Sequence, residues 1–427
     1  MKKFTNVSLA IAISILVLSH QVFAGGFLTG TQNAKAMGMG HAFVGQANDA
    51  SAIYFNAAGL TNLKGINFLA GTTLIMPKVD FTGPTPLTTT TSAVARTFTP
   101  INFYGVYGMD NGLSFGLGVY NPYGLGSEWE PAWIGKSLAV ETELRTFYIN
   151  PTVAYKVMEN LSVGAGFSYI VSNVLFKQVI DIPAIPIAPG VFLPAGPNVG
   201  VNLEGNGKPA YTFNFGLLYK PMDELSVGLA YRHSAEIEFD GDLTFSNLPA
   251  KPTGYPIGHS DLFPAGKGVS KITMPYDLRA GISYKAMENL TINADFQYVG
   301  WESYDTLAAD FEKNTAAWKD LSTAKNWENS MTFRLGGEYR MDEFAFRAGY
   351  VFDGSPIPTK TMDPSLPGAD RHEFTFGLGY QFTPNIRVDA AYQYISFEQE
   401  VTDSAILFNG KYVNSTNLFG FNVGFGF

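Results

Sequence analysis

The side chains that could carry reaction chemistry are few and scattered along this chain. Its five histidines stand singly at positions 20, 41, 233, 259 and 372, with no HExxH, nucleophile elbow or phosphate-cradling loop around them. There is no cysteine, which removes thiolate metal sites and a disulfide scaffold together. Asp370-Arg371-His372-Glu373 is the one dense polar cluster. It falls where a loop meets a strand pattern and reads as a junction before it reads as a catalytic site. No enzyme activity, cofactor or metal is therefore expected. What remains is recognition by charge. Arg279, Arg334, Arg347 and Arg387 carry forked guanidinium groups that suit a carboxylate ligand. Asp277, Asp295, Glu338 and Asp389 lie near enough in sequence to neutralise all four, so a structural ion pair is the first reading for each.

The elements that must position these groups have a period of two. At the C-terminus Phe419, Phe421, Val423, Phe425 and Phe427 alternate with Gly420, Asn422, Gly424 and Gly426. From Leu290 to Val299, Leu290, Ile292, Ala294, Phe296 and Tyr298 oppose Thr291, Asn293, Asp295 and Gln297. Residues 331–340 and 344–352 repeat the pattern and put Arg334, Glu338 and Arg347 on the polar face. One large apolar face against one small or ionised face suits a strand between lipid and a wet lumen. Fourteen such segments are centred near residues 71, 103, 117, 149, 167, 216, 231, 279, 295, 334, 348, 377, 392 and 422. Short turns follow Met158, Met222, Met287 and Met341, with two more at Asp110-Asn111-Gly112 and Pro384-Asn385. Long connections alternate with them, near 78–97, 122–140, 176–209, 240–270, 301–326, 353–370 and 399–416. An even strand count with loop lengths segregated to two ends is an outer-membrane layout. Closure also satisfies every backbone hydrogen bond in lipid. The expected fold is all-β, a transmembrane antiparallel barrel of about 14 strands, too wide to fill with its own wall side chains.

Composition agrees. Only 15% of the 427 residues are charged, against about 25% in soluble domains. The single long apolar run, Val7 to Leu18, follows Lys2 and Lys3 and precedes Val22-Phe23-Ala24. It reads as a secretory leader over residues 1–24, cut after Ala24. Losing Lys2 and Lys3 takes the basic count from 28 to 26 against 37 acids, a net charge of −11. That argues against a nucleic-acid partner. The barrel is expected over 65–427. Residues 25–64 lack a sustained period of two but offer helix starts near Ala34 and after Asp49 to Ser51. Such a stretch ahead of a wide barrel is either a plug folded inside it or a periplasmic tail. Two connections are greasy for exposed loops: one carries Tyr123, Leu125, Trp129, Trp133 and Ile134, and the other reads IPAIPIAPGVFLPAGP. They form either an external collecting groove for apolar ligand or a cap in which loop packs on loop.

Three blocks carry a family resemblance: GGF followed by MGMGHAFVGQANDASAIYFNAAGLT, then NPYGLGSEWEPAWIGKSLAVETELRTFYINPTVAYK, then RAGYVFDGSPIPTKTMDPSLPGADRHEFTFGLGY. Together they resemble the FadL-type outer-membrane transporters of long-chain fatty acids and aromatic hydrocarbons over essentially the whole mature chain. The resemblance implies a barrel plugged by an N-terminal hatch (residues 25–64) in a protein that is usually monomeric, set among outer-membrane lipid and lipopolysaccharide. It implies passive uptake of a long-chain fatty acid or other hydrophobic small molecule through an outer apolar groove, an inner site and a lateral exit beside a kinked early strand. Aromatic hydrocarbon uptake is the alternative ligand class, and a surface adhesin or structural barrel the alternative role. The residues implicated are Phe27 and Leu28 near bound ligand; Trp129, Trp133 and Ile134 in the groove; and Lys177 as a cation for a headgroup, beside Arg334 and Arg347, which strand parity already places in the lumen. Gly116, Gly118 and Pro122 mark the kinked strand. The hatch motif is commonly Asn-Pro-Ala, and this chain has Asn56-Ala57-Ala58. Alanine there frees a backbone N–H and relaxes φ, so the hatch is expected to be held differently.

Overall fold

A computed structural model describes residues 26–84, 86 and 88–427; the expected leader lies outside the described residues. Fourteen antiparallel strands close into a barrel. In chain order they are β1 (Gly65–Thr82), β2 (Ile101–Gly108), β3 (Leu113–Tyr120), β4 (Glu141–Met158), β5 (Leu161–Ile182), β6 (Ala210–Met222) and β7 (Leu225–Arg232). They continue as β8 (Asp277–Met287), β9 (Leu290–Val299), β10 (Ser330–Met341), β11 (Phe344–Asp353), β12 (Arg371–Thr383), β13 (Ile386–Val401) and β14 (Gly410–Gly426). Each expected centre falls inside its strand. β14 pairs along β1 from Asn67↔Gly426 to Thr82↔Lys411, which closes the sheet. The terminal Phe427 completes the seam, its N–H donating to Ile66 O at 2.8 Å and its carbonyl accepting from Ile66 N at 3.0 Å.

The alternation decides which face is which. Phe333, Leu335 and Phe376 are about half exposed or more, at 50%, 55% and 58%, while the intervening Thr332, Glu338 and Thr375 are buried. Tyr107, Tyr155, Tyr219, Tyr284 and Tyr339 stand outward near the short-turn end, an aromatic girdle at a lipid–water boundary. The register slips by one residue beside four short turns, next to Met158, Met222, Met287 and Thr383, a local bulge that tightens the strand reversal.

Several of the long connections differ from expectation in containing strand. β1, β5, β13 and β14 run on beyond the expected wall, and further strands at Gly196–Gly207, Ala235–Ser246 and Gly266–Met274 pair with one another and with the upper part of β5. Backbone groups that leave the wall still need partners, and the neighbouring strand extension is the nearest supply.

Residues 26–62 lie against the inner face of the wall. Two short helices, α1 (Ala34–Met37) and α2 (Ala52–Phe55), and a 3-10 turn at Ala57–Asn62 are almost wholly buried. The wall makes room with glycine. A Cβ on Gly228 would lie 2.2 Å from Val44 O, and one on Gly349 would lie 2.3 Å from Gly40 N. Strand glycines at these inward positions are where another backbone touches the sheet.

Candidate functional site

Polar wall side chains hold the N-terminal segment. Phe43 N and Val44 N donate to Asp295 Oδ2 at 2.7 and 2.9 Å, Gly40 N donates to Thr375 Oγ1 at 2.9 Å, and Ala34 N donates to Asn422 Oδ1 at 2.7 Å. Asn56 Nδ2 donates to Val44 O and to Leu217 O, both at 3.0 Å, and its Oδ1 accepts from Ala58 N at 3.2 Å. Asn56 thereby caps the 3-10 turn and ties it to β6. Ala57 is the first residue of that turn, where a missing N–H would be harmless. The departure from Asn-Pro-Ala therefore leaves the cap itself in place.

The lumen arginines divide into two kinds. Arg347 is buried between Glu338 Oε2 at 2.7 Å and Asp389 Oδ1 at 2.9 Å. Arg387 joins Asp389 at 2.7 Å to Asp49 of the N-terminal segment at 3.3 Å. Arg279 pairs with Asp277 and donates to Tyr54 Oη at 3.0 Å. These charges are spent. Arg334 and Arg371 are different: neither makes an ion pair within 4.0 Å among the described residues. Arg334 Nη2 donates to Gln297 Oε1, and Arg371 Nη2 to Gly26 O at 3.3 Å, while each Nε is buried without a partner.

Both line a cavity of about 550 Å³, within the range of small-molecule sites. Its apolar side is formed by Leu28, Ile75, Pro77, Phe98, Leu125 and Leu144, and its polar side by His41, Gln393, Arg334 and Arg371 together with the carboxylates Asp295, Asp353 and Glu373. Phe147, on the outward face of β4, lines it as well, so the cavity reaches through the wall.

The wall is interrupted there for a local reason. β3 pairs with β4 up to Tyr120↔Tyr148, and pairing resumes at Gly124↔Arg145 after Asn121, Pro122 and Tyr123 have turned inward. The freed edge is taken by the N-terminal segment: Thr29 N donates to Pro122 O at 2.8 Å, Gly124 N donates to Phe27 O at 3.0 Å, and Leu28 bridges Tyr123. Among the described residues no backbone hydrogen bond joins 95–100 to 122–127. The Phe98 ring covers the gap, so near that a Cβ on Gly126 would lie 2.2 Å from it. Arg96 spans the gap, bonding Glu141 at 2.8 Å and Glu128 at 3.2 Å.

Of the residues singled out in the sequence, Phe27, Leu28 and Arg334 come together at the cavity. Pro122 sits in the strand interruption. Gly116 and Gly118 do not bend β3, which pairs continuously past them; they admit Ile53 of α2, whose side chain would lie 2.8 and 2.9 Å from a Cβ at those positions. Trp129 and Trp133 stack on each other at 4.2 Å, are buried to 1% and 4% exposure, and donate to Pro364 O and Ala139 O. They pack as cap, and Ile134 stands exposed beside them. Lys177 pairs with Glu141 at 2.7 Å outside the cavity. Arg347 is held by its two carboxylates and does not line the cavity. The sequence reading passed over Arg371, Arg96 and Phe98; Arg371 had been noticed only as part of a polar junction.

Known proteins with this architecture include a Pseudomonas aeruginosa FadL homologue, of TM-score 0.78 and 21% identity covering 94% of this chain and all of that one. The Ralstonia pickettii toluene transporter TbuX follows at TM-score 0.68 and 16% identity, covering 92% and 98%. In sequence, the chain is 26% identical to the long-chain fatty acid transport protein of Salmonella typhi over 99% of each chain. It is equally 26% identical to outer membrane protein P1 of Haemophilus influenzae over 100% of each. Residues 15–427 match the family described as outer membrane protein transport protein (OMPP1/FadL/TodX); the chain belongs to that family and is a transport protein of the Gram-negative outer membrane.

Proposed function

We propose that this transporter takes up long-chain fatty acids passively, holding the acyl chain along the apolar side of the cavity and the carboxylate at Arg334 and Arg371. The observation that carries this reading is the pair of guanidinium groups, each with a buried Nε that has no hydrogen-bond partner, on the polar side of a cavity whose other side is apolar. A hydrocarbon has no use for them, whereas a carboxylate gains charge-assisted bonds there. Burial at ~0.8 kcal/mol per CH₂ supplies the remaining affinity. The N-terminal segment acts as a hatch. It closes the lumen below the cavity, and its residues Phe27 to Thr29 complete the interrupted strand. Release runs sideways past Phe98 into the lipid, so the acyl chain never crosses the polar lumen. The homologues named for fatty acid transport support the same cargo.

Growth of a Gram-negative strain lacking its own fatty acid transporter, with oleate as sole carbon source, tests the reading. The chain should restore growth. Restored toluene sensitivity without oleate growth would assign it to aromatic hydrocarbons, and restoration of neither would leave a barrel without this cargo. Removing residues 25–30 should lower oleate uptake, and unchanged uptake would refute the hatch.

A further inference from the structure

Arg232 ends β7 on the lumen side and is 4% exposed, yet no carboxylate comes within 4.0 Å of it among the described residues. Three tyrosine rings surround it, with centroids 4.7 Å (Tyr54), 5.6 Å (Tyr120) and 6.0 Å (Tyr148) from its guanidinium carbon. Its Nη2 donates to Tyr54 O at 3.3 Å and to Tyr120 Oη at 3.4 Å, while Nε and Nη1 are buried without a partner among the described residues. Ring faces attract the charge, but each remaining N–H still needs an acceptor in the plane of the group.

The neighbours deepen the deficit. Arg232 stands in register with Asp277 on β8 and with Asn214 on β6. Asp277 is already taken: its Oδ2 accepts from Arg279 Nη2, and its Oδ1 accepts from Gln297 Nε2 at 2.6 Å. Asp295, on β9, turns its Oδ2 to the amides of Phe43 and Val44. Arg279 is itself 6% exposed, and its Nε is likewise buried without a partner. Two guanidinium groups thus share one carboxylate. One positive charge and three donor nitrogens are left unmatched in a buried place, where a charge needs a counter-charge to offset its lost hydration.

Both arginines line one small cavity of about 10 Å³ between residues 54–57 and strands β6 to β8, with Asn214 on its wall. That is room for one small guest and none for an acyl chain, and Arg232 has no part in the larger cavity. We propose that the small cavity is a halide site, in which chloride accepts from Arg232 and Arg279 and completes their charge balance. Tyr54 fixes the consequence: Arg232 donates to its carbonyl at 3.3 Å and Arg279 to its hydroxyl at 3.0 Å. The anion therefore steadies the two side chains by which β7 and β8 grip the short helix α2. It is separate from the carboxylate site at Arg334 and Arg371, and it serves stability whatever cargo passes.

Urea unfolding of the full-length protein in detergent tests the site, in sodium chloride against sodium gluconate at equal ionic strength, because gluconate is too large to enter. Chloride at roughly a hundred times its dissociation constant should multiply the folded-to-unfolded ratio about a hundredfold over gluconate. Arg232→Met removes the charge that calls for the anion, so its stability should be the same in both salts. Arg334→Gln should keep the full chloride response. Wild-type crystals soaked in sodium bromide give a readout that needs no variant to fold, with an anomalous peak expected in contact with Arg232 and Arg279. Equal wild-type stability in the two salts, or a bromide map without a peak beside Arg232, overturns the proposal and leaves the tyrosine rings as the whole compensation. A chloride response lost in Arg334→Gln and kept in Arg232→Met places the anion elsewhere and overturns it as well.

Discussion

Replacing Arg334 by glutamine isolates the carboxylate term of ligand binding. Arg334 sits on the polar side of the cavity and donates to Gln297, whereas Arg347, on the adjacent strand in the same lumen, is clasped by Glu338 and Asp389. A hydrogen bond to a charged partner contributes about 1.5–3 kcal/mol, and a neutral amide in its place about 0.5–1.5 kcal/mol. The difference, about 1–2 kcal/mol, corresponds to roughly 5- to 30-fold in affinity. The acyl chain's contribution, at ~0.8 kcal/mol per CH₂, should not change. Displacement of a fluorescent fatty acid from purified Arg334→Gln should therefore weaken for oleate by that factor and stay constant for methyl oleate. Retained heat-modifiable migration on gels shows that the barrel is folded. Equal losses for acid and ester would mean that Arg334 shapes the cavity and does not read charge, and no loss for the acid would move the headgroup elsewhere, Arg371 first.

Arg347→Met should instead destabilise the fold by about 1–3 kcal/mol, because Glu338 and Asp389 each lose a buried cation and keep only Arg340 and Arg387; a thermal midpoint equal to wild type would contradict the ion-pair assignment. Gly228→Ala puts a methyl 2.2 Å from Val44 O, an overpacking of about 1–3 kcal/mol that should push the N-terminal segment off β7 while strand pairing survives. Liposome swelling in a small sugar is expected to rise, and an impermeable variant would count against the hatch. Ala57→Pro, at the first position of a 3-10 turn, should stabilise by about 0.4–1 kcal/mol through the unfolded state, and a lower thermal midpoint would show that the Ala57 N–H is in use. Burial and then Asp353 push Asp370 up from 3.8 to about 6, so its part in holding residues 354–370 is fullest below about 4 and is lost as pH rises through about 6. Burial raises Asp363 too, but Lys325 and Ser365 outweigh it and hold the group below its ordinary value. The Asp363 contribution therefore stands above 3.8 and is lost as pH falls. Protection against amide exchange across 354–370, relative to the intrinsic rate at each pH, should be greater at pH 5 than at pH 7.5, and Asp370→Asn should erase that difference.

The barrel was readable because lipid on one side and water on the other impose a parity on every wall strand. Phe419 to Phe427 shows that parity without any knowledge of partners. Neighbour relations across the barrel leave no such trace. Arg334 and Arg347 lie on the same polar face thirteen residues apart, yet one lines a cavity and the other is locked in ions, because Asp389 reaches Arg347 from a strand 42 positions away. Trp129 and Trp133 looked like a greasy external surface for a related reason: sequence reports that a loop is apolar but not what it folds against, and here the answer is its own partner ring and Pro364. The glycines held more than was taken from them. Gly116 and Gly118 were read as a place to bend, when frequent glycine at inward positions records a second backbone lying on the wall, as at Gly228 and Gly349. Inward glycine on several strands of a barrel, together with a non-alternating segment ahead of the first strand, is a signature of an internal segment that can be sought in sequence alone. The strand break lies at Asn121 to Tyr123, where Thr29 N donates to Pro122 O and Gly124 N donates to Phe27 O. A closed barrel has no unpaired edge by construction, so an edge kept open and then filled by residues 27–29 is where the proposed sideways release would exchange pairing for passage.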